Sequence, residues 1–436
     1  MRMKFNKSGQ LLLVSAASLL VAALVTACGT LTVDFVFVTS AKAAGADSYG
    51  EVDVFEINSE SGAMRQIPTS PFPSGGRNPV AEAVSSDNTN LYVANQDDNT
   101  IVQFIIGNDG KLYPQNTVNT PGVYPLAVAV SGMNLFVVDT FQPLPSCSTA
   151  APCSGSIAVF PITASSDTPP SDRPGPLPVP NGSLSYWPLS LPSSPNDVLE
   201  PTAINVLASG KYLYVTAYDA TAKANYLFGY SIGSSGALTP LNGGAPLGGA
   251  GTPFATGTCA TAYVNAPFVV GTCPAAIASD PSSTYVYVTD SANGKVRGYS
   301  VASATGLLSP LGGSPFPAGN QPSAITIDPA YAYVYVTNSL DSTVTAYSMN
   351  SGALTSVGTY AAGLQPVAVG IDPSTHHFLY TVNFLGNTVS GTVSGFELSP
   401  TDGTLVNSQN SPYTANALPT AVAAISHNGT GAGTQK

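Results

Sequence analysis

Charge is scarce in this sequence. Only 8% of its 436 residues are Asp, Glu, Lys or Arg, against roughly 25% in an average soluble protein. The balance is negative, with a formal net charge of −11. That excludes a nucleic-acid partner, because phosphate backbones are held by a positive surface. Histidine is rarer still: there are three, His376 and His377 in one turn and His427 in the tail. No phosphate loop, Ser-His-Asp order or zinc-binding spacing occurs in the sequence, so no metal or other cofactor is expected. Sustained 3.6-residue apolar periodicity is also missing, which excludes a helical solenoid. What the chain does have is 42 Gly, 37 Pro and 44% hydrophobic residues. This composition suits short strands, many tight turns and a sizeable core.

Residues 1–7 are basic, and residues 11–27, LLLVSAASLLVAALVTA, are uncharged and apolar. The run suits a signal peptide better than a membrane span. It ends in Val25-Thr26-Ala27-Cys28, which resembles a lipobox, so Cys28 is the expected lipidated residue. Residues 1–27 then form a lipoprotein signal peptide and residues 28–32 a tether. The chain is expected to be exported and lipid-anchored in a bacterial cell envelope. Gly29 after the cysteine favours the outer membrane or cell surface. The other four cysteines fall into two local pairs, Cys147/Cys153 and Cys259/Cys273. In an oxidising compartment these are expected to form two disulfides.

Internal repetition dominates the rest. A Pro-x-Ala strand starts at Pro79, Pro125, Pro201, Pro274, Pro322, Pro366 and Pro419. A second strand reads VFVTS (36–40), LYVAN (91–95), LFVVD (135–139), LYVTA (213–217), VYVTD (286–290), VYVTN (334–338) and LYTVN (379–383). A third carries an aromatic at a fixed place: Phe55, Phe104, Phe160, Tyr230, Tyr299, Tyr347 and Phe396. Gly turns such as SGAL (235–238 and 351–354) and DGTL (402–405) precede a short fourth strand. Four antiparallel strands repeated seven times predict an all-β, seven-bladed β-propeller. The chain enters at a second strand and ends on an orphan first strand, so residues 419–425 should pair with residues 33–39 and close the ring. The propeller is expected over 33–426, with insertions at 141–155, 163–200 and 242–273 and a disordered tail at 427–436. The Pro/Ser-rich 163–200 segment is expected as an extended surface loop.

VYVTN (334–338), preceded by IDP (327–329) and followed by a D-S-T-V turn (341–344), resembles the YVTN-repeat propellers. These border the lactonase-like family of seven-bladed propellers, which includes 6-phosphogluconolactonase-like enzymes. The resemblance covers about residues 31–425 and implies a propeller that hydrolyses a lactone. Lactonase members carry Arg-His after the inner-strand Pro. Here the matching pairs are Val80-Ala81, Leu126-Ala127, Thr202-Ala203, Ala275-Ala276, Ser323-Ala324, Val367-Ala368 and Thr420-Ala421. They carry Glu after the second strand's Asn, where this chain has Gln96, Ser339 and Phe384.

The leading expectation is therefore a monomeric binding or scaffold module. It would be anchored to the membrane through its lipid and would serve an unknown protein, glycan or small-molecule ligand. The alternative is a lactone hydrolase of the resembled family, and a sugar- or quinone-dependent enzyme ranks third. The candidate catalytic residues are Arg77 and Glu82, which flank or occupy the second blade's first strand. Glu82 takes a slot held elsewhere by Val128, Ile204, Ile277, Ile325, Val369 and Val422. Asn95, Asp139, Asp290, Asn338 and Asn383, at the ends of second strands, are a candidate ring at the channel mouth or caps of the following turns. His376 and His377 read as turn residues, and Asp97-Asp98-Asn99 and Asp341-Ser342 as turns without full calcium-ligand spacing.

Overall fold

A computed structural model describes residues 32–41, 49–58, 60–142, 153–162, 186–219, 222–247, 255–256, 276–330, 333–385 and 390–426. The expected signal peptide, Cys28, Cys147, Cys259, Cys273 and the tail lie outside these residues. Of the five cysteines only Cys153 falls within them, so both expected cysteine pairings involve residues outside the described ones.

Seven antiparallel sheets form the blades of a propeller. Blade 1 joins the two chain ends. Its inner strand is Leu418–Ser426, its second strand Thr32–Ala41, its third Tyr49–Asn58 and its fourth Met64–Gln66. Phe35 pairs with Ile425, Phe37 with Ala423 and Thr39 with Ala421, so the two segments expected to close the ring do pair. The remaining blades begin at inner strands Pro79–Val84, Val123–Ser131, Leu199–Val206, Ile277–Ser279, Pro322–Ile327 and Leu364–Ile371. Among the described residues the only helical segment is a 3-10 turn at Leu241–Gly244.

The second strands explain why the ring forms. Strand side chains alternate between faces. In Thr32–Ala41, Phe35 and Phe37 pack against Leu91, Val93 and Phe104 of blade 2. Val36 and Val38 pack against Tyr380 and Val382 of blade 7. Both faces are thus apolar, and each needs a neighbouring blade to cover it. Val36, Phe37 and Val38 have no solvent exposure at all.

The Tyr of the YVTN strand and the Gly of the SGAL turn belong to one contact. Tyr214 Oη donates to the Gly306 carbonyl at 2.8 Å, Tyr287 to Gly352 at 2.8 Å and Tyr335 to Gly403 at 3.2 Å, each time reaching the next blade. These glycines sit at φ of 70°, 84° and 75°. A Cβ there would fall 2.4–2.6 Å from the aromatic rings of Tyr212, Tyr285 or Tyr333. Glycine is required on both counts.

Two features depart from the expectations. The 163–200 insertion is not all loop, because Tyr186–Pro188 is the outer strand of blade 3, pairing Trp187 with Ile157 of strand Ser156–Pro161. Four blades also add a short fifth strand that returns to the third: Phe72–Arg77, Ala255–Thr256, Phe316–Pro317 and Tyr413–Thr414. In three of them a Ser-Pro pair makes the return. The Ser70, Ser314 and Ser411 hydroxyls accept from the Val54, Gly298 and Gly395 amides at 2.8–3.0 Å, replacing a ladder bond where the fourth strand leaves.

Removing residues 415–436 deletes the inner strand of blade 1, so cooperative unfolding should be lost. A circular-dichroism melt with an unchanged transition would refute closure by this strand. Tyr287→Phe and Tyr335→Phe should each cost about 1 kcal/mol, because each leaves a glycine carbonyl unpaired. Tyr380, whose hydroxyl has no partner among the described residues, should tolerate Phe. Equal losses at all three positions, measured by urea unfolding, would count against the contact.

Candidate functional site in the central channel

Each inner strand is an edge strand of its sheet and faces the channel axis. Its outward N–H and C=O groups therefore lack a ladder partner. The strands share a bulge: the register shifts between Pro79 and Ala81, Pro201 and Ala203, Pro322 and Ala324, and Pro366 and Ala368. The bulge residue sometimes links blades. The Thr420 hydroxyl donates to the Pro79 carbonyl at 2.9 Å, and the Ser323 hydroxyl to the Pro366 carbonyl at 2.6 Å.

Glu82 lies in this wall, on strand Pro79–Val84. Its residue surface is partly exposed, but its carboxyl is turned into the seam with blade 1. Thr39 Oγ1 donates to Oε2 at 2.5 Å. Oε1 is buried with no hydrogen-bond partner among the described residues. Burial pushes the carboxyl up to about 7, and hydrogen bonds from Thr39 and the Ala423 backbone pull it part of the way back. Its aliphatic counterparts carry no such group.

Arg77, at the end of strand Phe72–Arg77, is held elsewhere. Its Nε donates to Asp98 Oδ1 at 2.7 Å and its amide to Asp98 Oδ2 at 2.7 Å. The structure places Arg77 and Glu82 on different partners, Asp98 and Thr39, and does not join them into a pair. Arg297 donates from Nε and Nη2 to Asp290 Oδ2 at 3.0 and 2.9 Å. Arg65 pairs with Glu56.

Asn95, Asp139, Asp290, Asn338 and Asn383 are buried to 1% exposure or less. Instead of lining an open mouth, they bond to buried neighbours in the strands and turns around them. Asp139 Oδ2 accepts from the Gly122 amide at 3.0 Å and Asn338 Oδ1 from the Gly319 amide at 3.0 Å. Asn383 Nδ2 donates to Ser394 Oγ at 2.9 Å. Asn95 Nδ2 reaches the Ser74 carbonyl and Thr100 Oγ1 at 3.4 Å each. Burial pushes the Asp139 carboxyl up to about 7 despite hydrogen bonds from Thr120 and Gly122. Asp98 and Asp341 do related work, tying the turn to Arg77 and Asn320, two residues before Pro79 and Pro322. His376 and His377 lie in the turn organised by Asp372, which accepts from the His376 amide at 3.1 Å. Among the described residues no cluster of three His, Cys, Asp or Glu is placed to hold a metal.

One set of positions was not anticipated. The residue just before the inner-strand proline is Asn78, Tyr124, Glu200, Gln321 or Gln365, with Leu418 in blade 1. All but Leu418 are half-buried. Asn78, Tyr124, Gln321 and Gln365 sit at φ of 53°, 60°, 51° and 52°. A non-glycine residue there costs on the order of 1 kcal/mol, and a following proline normally enforces extended backbone. A Gly-x-x-Pro spacing in four blades (Gly76, Gly122, Gly319, Gly363) was the sequence signal for this entry turn.

A family model described as "Lactonase, 7-bladed beta-propeller" matches residues 48–142 and 255–424. The chain belongs to that lactonase family. The unmatched stretch, 143–254, contains the two long insertions of the third and fourth repeats. No curated protein matches the chain in sequence. Among solved structures, a Bacteroides fragilis protein assigned as a 6-phosphogluconolactonase is 18% identical with a TM-score of 0.63, covering 91% of this chain and 99% of that one. The periplasmic gluconolactonase of Pseudomonas aeruginosa is 17% identical with a TM-score of 0.59, covering 90% and 99%. A Sulfolobus tokodaii protein described as a hypothetical selenium-binding protein is 10% identical with a TM-score of 0.60, covering 90% and 94%. These likenesses show the fold, and one fold hosts many chemistries.

Glu82 and Asp139 both lie well above the ordinary carboxyl values of 4.5 and 3.8. The fold therefore favours their neutral forms. Their contribution to stability is full below about pH 4 and is lost as pH rises through about 7. The melting temperature should fall between about pH 5 and about pH 8, and Glu82→Gln should make that fall shallower. Thermal melts across this range that give parallel slopes would refute the role of Glu82.

Proposed function

We propose that this lactonase-family propeller hydrolyses a lactone in its central channel, with Glu82 activating the attacking water. Glu82 carries the reading: a carboxyl held near pH 7 in the channel wall, at a slot where the other blades have aliphatic residues. A base of this strength is partly ionised at neutral pH and suits proton abstraction from water. Water attack on the lactone carbonyl places negative charge on its oxygen. The unpaired N–H groups along the inner strand edges are the donors available to stabilise that charge. Family membership and the gluconolactonase-type neighbours support the reaction class.

A second reading, ligand binding without turnover, is favoured by two observations. The Glu82 carboxyl turns into the seam with blade 1, and Arg77 and Arg297 are committed to Asp98 and Asp290. One assay separates the two readings. Hydrolysis of glucono-1,5-lactone and 6-phosphogluconolactone should exceed the spontaneous rate, and Glu82→Gln should lower it by about a hundredfold. Turnover at the spontaneous rate would leave the binding reading standing, and faster turnover that survives Glu82→Gln would remove Glu82 as the base.

We propose separately, from the basic start, the apolar run 11–27 and Val25-Thr26-Ala27-Cys28, that the protein lies outside the cytoplasm, anchored through a lipid on Cys28 and carrying Cys147–Cys153 and Cys259–Cys273 disulfides. Mass spectrometry of envelope protein should find a diacylglyceryl group at Cys28 and no free thiols. Cys28→Ser should release the protein from the membrane fraction. A Cys28→Ser protein that stays membrane-bound, or wild-type protein with free thiols, would refute those assignments.

A further inference from the structure

Three parts of the chain meet at the seam where the ring closes. Asp34 stands on the second strand of blade 1, opposite Ser426 of the inner strand. Asp372 and Ser374 stand in the turn between the inner and second strands of blade 7. The Ser374 hydroxyl is bonded to Asp34 Oδ1 and, at 2.8 Å, to Ser426 Oγ. The Asp372 carboxyl faces Asp34 across the seam. Asp34, Asp372 and Tyr380 have no solvent exposure.

Asp34 is particular to this seam. The matching position of the other second strands holds Thr89, Met133, Lys211, Thr284, Ala332 or His377. Asp34 Oδ2 is buried with no hydrogen-bond partner among the described residues, and so is the Tyr380 hydroxyl. That hydroxyl lies close to both carboxyls, whose charges add to burial in pushing it well above its ordinary value. Asp372 accepts from the Thr375, His376 and Phe378 amides and from the Thr375 hydroxyl, as an ionised carboxylate does. Among the described residues neither carboxyl forms an ion pair, and no third His, Cys, Asp or Glu joins them.

Two carboxyls sealed in one seam need a positive partner. A shared proton would use one oxygen of each and leave the Tyr380 hydroxyl unbonded. A hydrated cation neutralises both carboxyls and gives that hydroxyl a water to bond. The donors are all oxygen, which suits calcium and not zinc. We propose that Asp34 and Asp372, with the Ser374 and Ser426 hydroxyls, bind a calcium-type divalent cation that fastens strands Thr32–Ala41 and Leu418–Ser426 to blade 7.

Burial, and after it the charge of Asp372, push the Asp34 carboxyl up to about 7 against the Ser374 bond. The test is therefore run at about pH 8, where the carboxyl is ionised and free to bind a metal. The purified protein should melt at least about 2 °C higher in about 10 mM calcium than in EDTA. Sodium chloride of equal ionic strength should not reproduce the rise. Asp34→Asn keeps the shape of the side chain and removes its charge, so its melting temperature should be the same with calcium and with EDTA. No calcium effect in the wild type, an equal effect from sodium chloride, or an equal effect in Asp34→Asn would each overturn the site. The first of these, with Asp34→Asn melting higher than the wild type, would identify a shared proton in its place. Terbium gives a second measurement that does not require Asp34→Asn to fold. Its tyrosine-excited emission should fall when calcium is added, and should be weaker in Tyr380→Phe. Emission unchanged in Tyr380→Phe would put the bound ion elsewhere and overturn the site.

Discussion

Every blade is apolar on both faces, and this two-sidedness governs the rest of the molecule. A sheet that buries one face can rest on a core and show the other to water. Here Phe35 and Phe37 must be covered by blade 2 while Val36 and Val38 must be covered by blade 7. Each blade is thus half of two cores, and an open row would leave two faces bare. Closing the ring is the only arrangement of such sheets without an exposed apolar end. The chain meets that demand by giving blade 1 its inner strand from the C-terminal part and its other strands from the N-terminal part. Polar links cluster at this join. Asn416 Nδ2 donates to Asp53 Oδ1 at 2.7 Å, the Thr420 hydroxyl to the Thr39 carbonyl at 3.0 Å, and the Ser374 hydroxyl to Asp34 and to Ser426.

Because the blade faces are consumed by packing, chemistry is left with the inner edges and the mouth. Polarity alone does not mark function in such a fold. Asn95, Asp139, Asp290, Asn338 and Asn383 are polar and regularly spaced, yet they are buried hardware, two of which, Asp139 and Asn338, anchor the turn entering an inner strand. Glu82 differs from them in place: it stands on an inner strand and bonds across the seam to Thr39 of the neighbouring blade. A buried carboxyl that serves no turn raises the energy of its ionised form, which is the condition a neutral-pH acid–base group requires.

The architecture was legible because each repeated motif reports a contact that recurs in several blades. Pro-x-Ala marks the bulged inner strand, the aromatic of the YVTN strand marks the seam, and the Gly of the SGAL turn marks what that aromatic touches. Which two strands close the ring followed from motif order alone. The strand Tyr186–Pro188 was not legible, since three residues beside a Pro/Ser-rich stretch carry no periodicity. The back-pairing fifth strands were missed for a similar reason: two to six residues that owe their pairing to a serine hydroxyl leave little pattern. Site geometry was the least legible. The direction of the Asx side chains depends on a bulge that shifts register by one residue, and a shift of one reverses the face.

The pre-proline positions show why a backbone property escapes a reading of the sequence. Their residues, Asn, Tyr, Glu and Gln, share no side-chain type, so no motif search groups them. They share a place before proline, and in four blades a left-handed φ, which only coordinates reveal. The entry turn itself is purely structural, since the bulge needs it and Gly-x-x-Pro supplies it. The side chains on that turn make local contacts: Asn78 Nδ2 donates to Gln96 and Asp97, and the Ser339 hydroxyl donates to Gln321. The turn repeats from blade to blade because the packing constraint that needs it repeats. The side chains it carries vary around the ring because that constraint acts on the backbone.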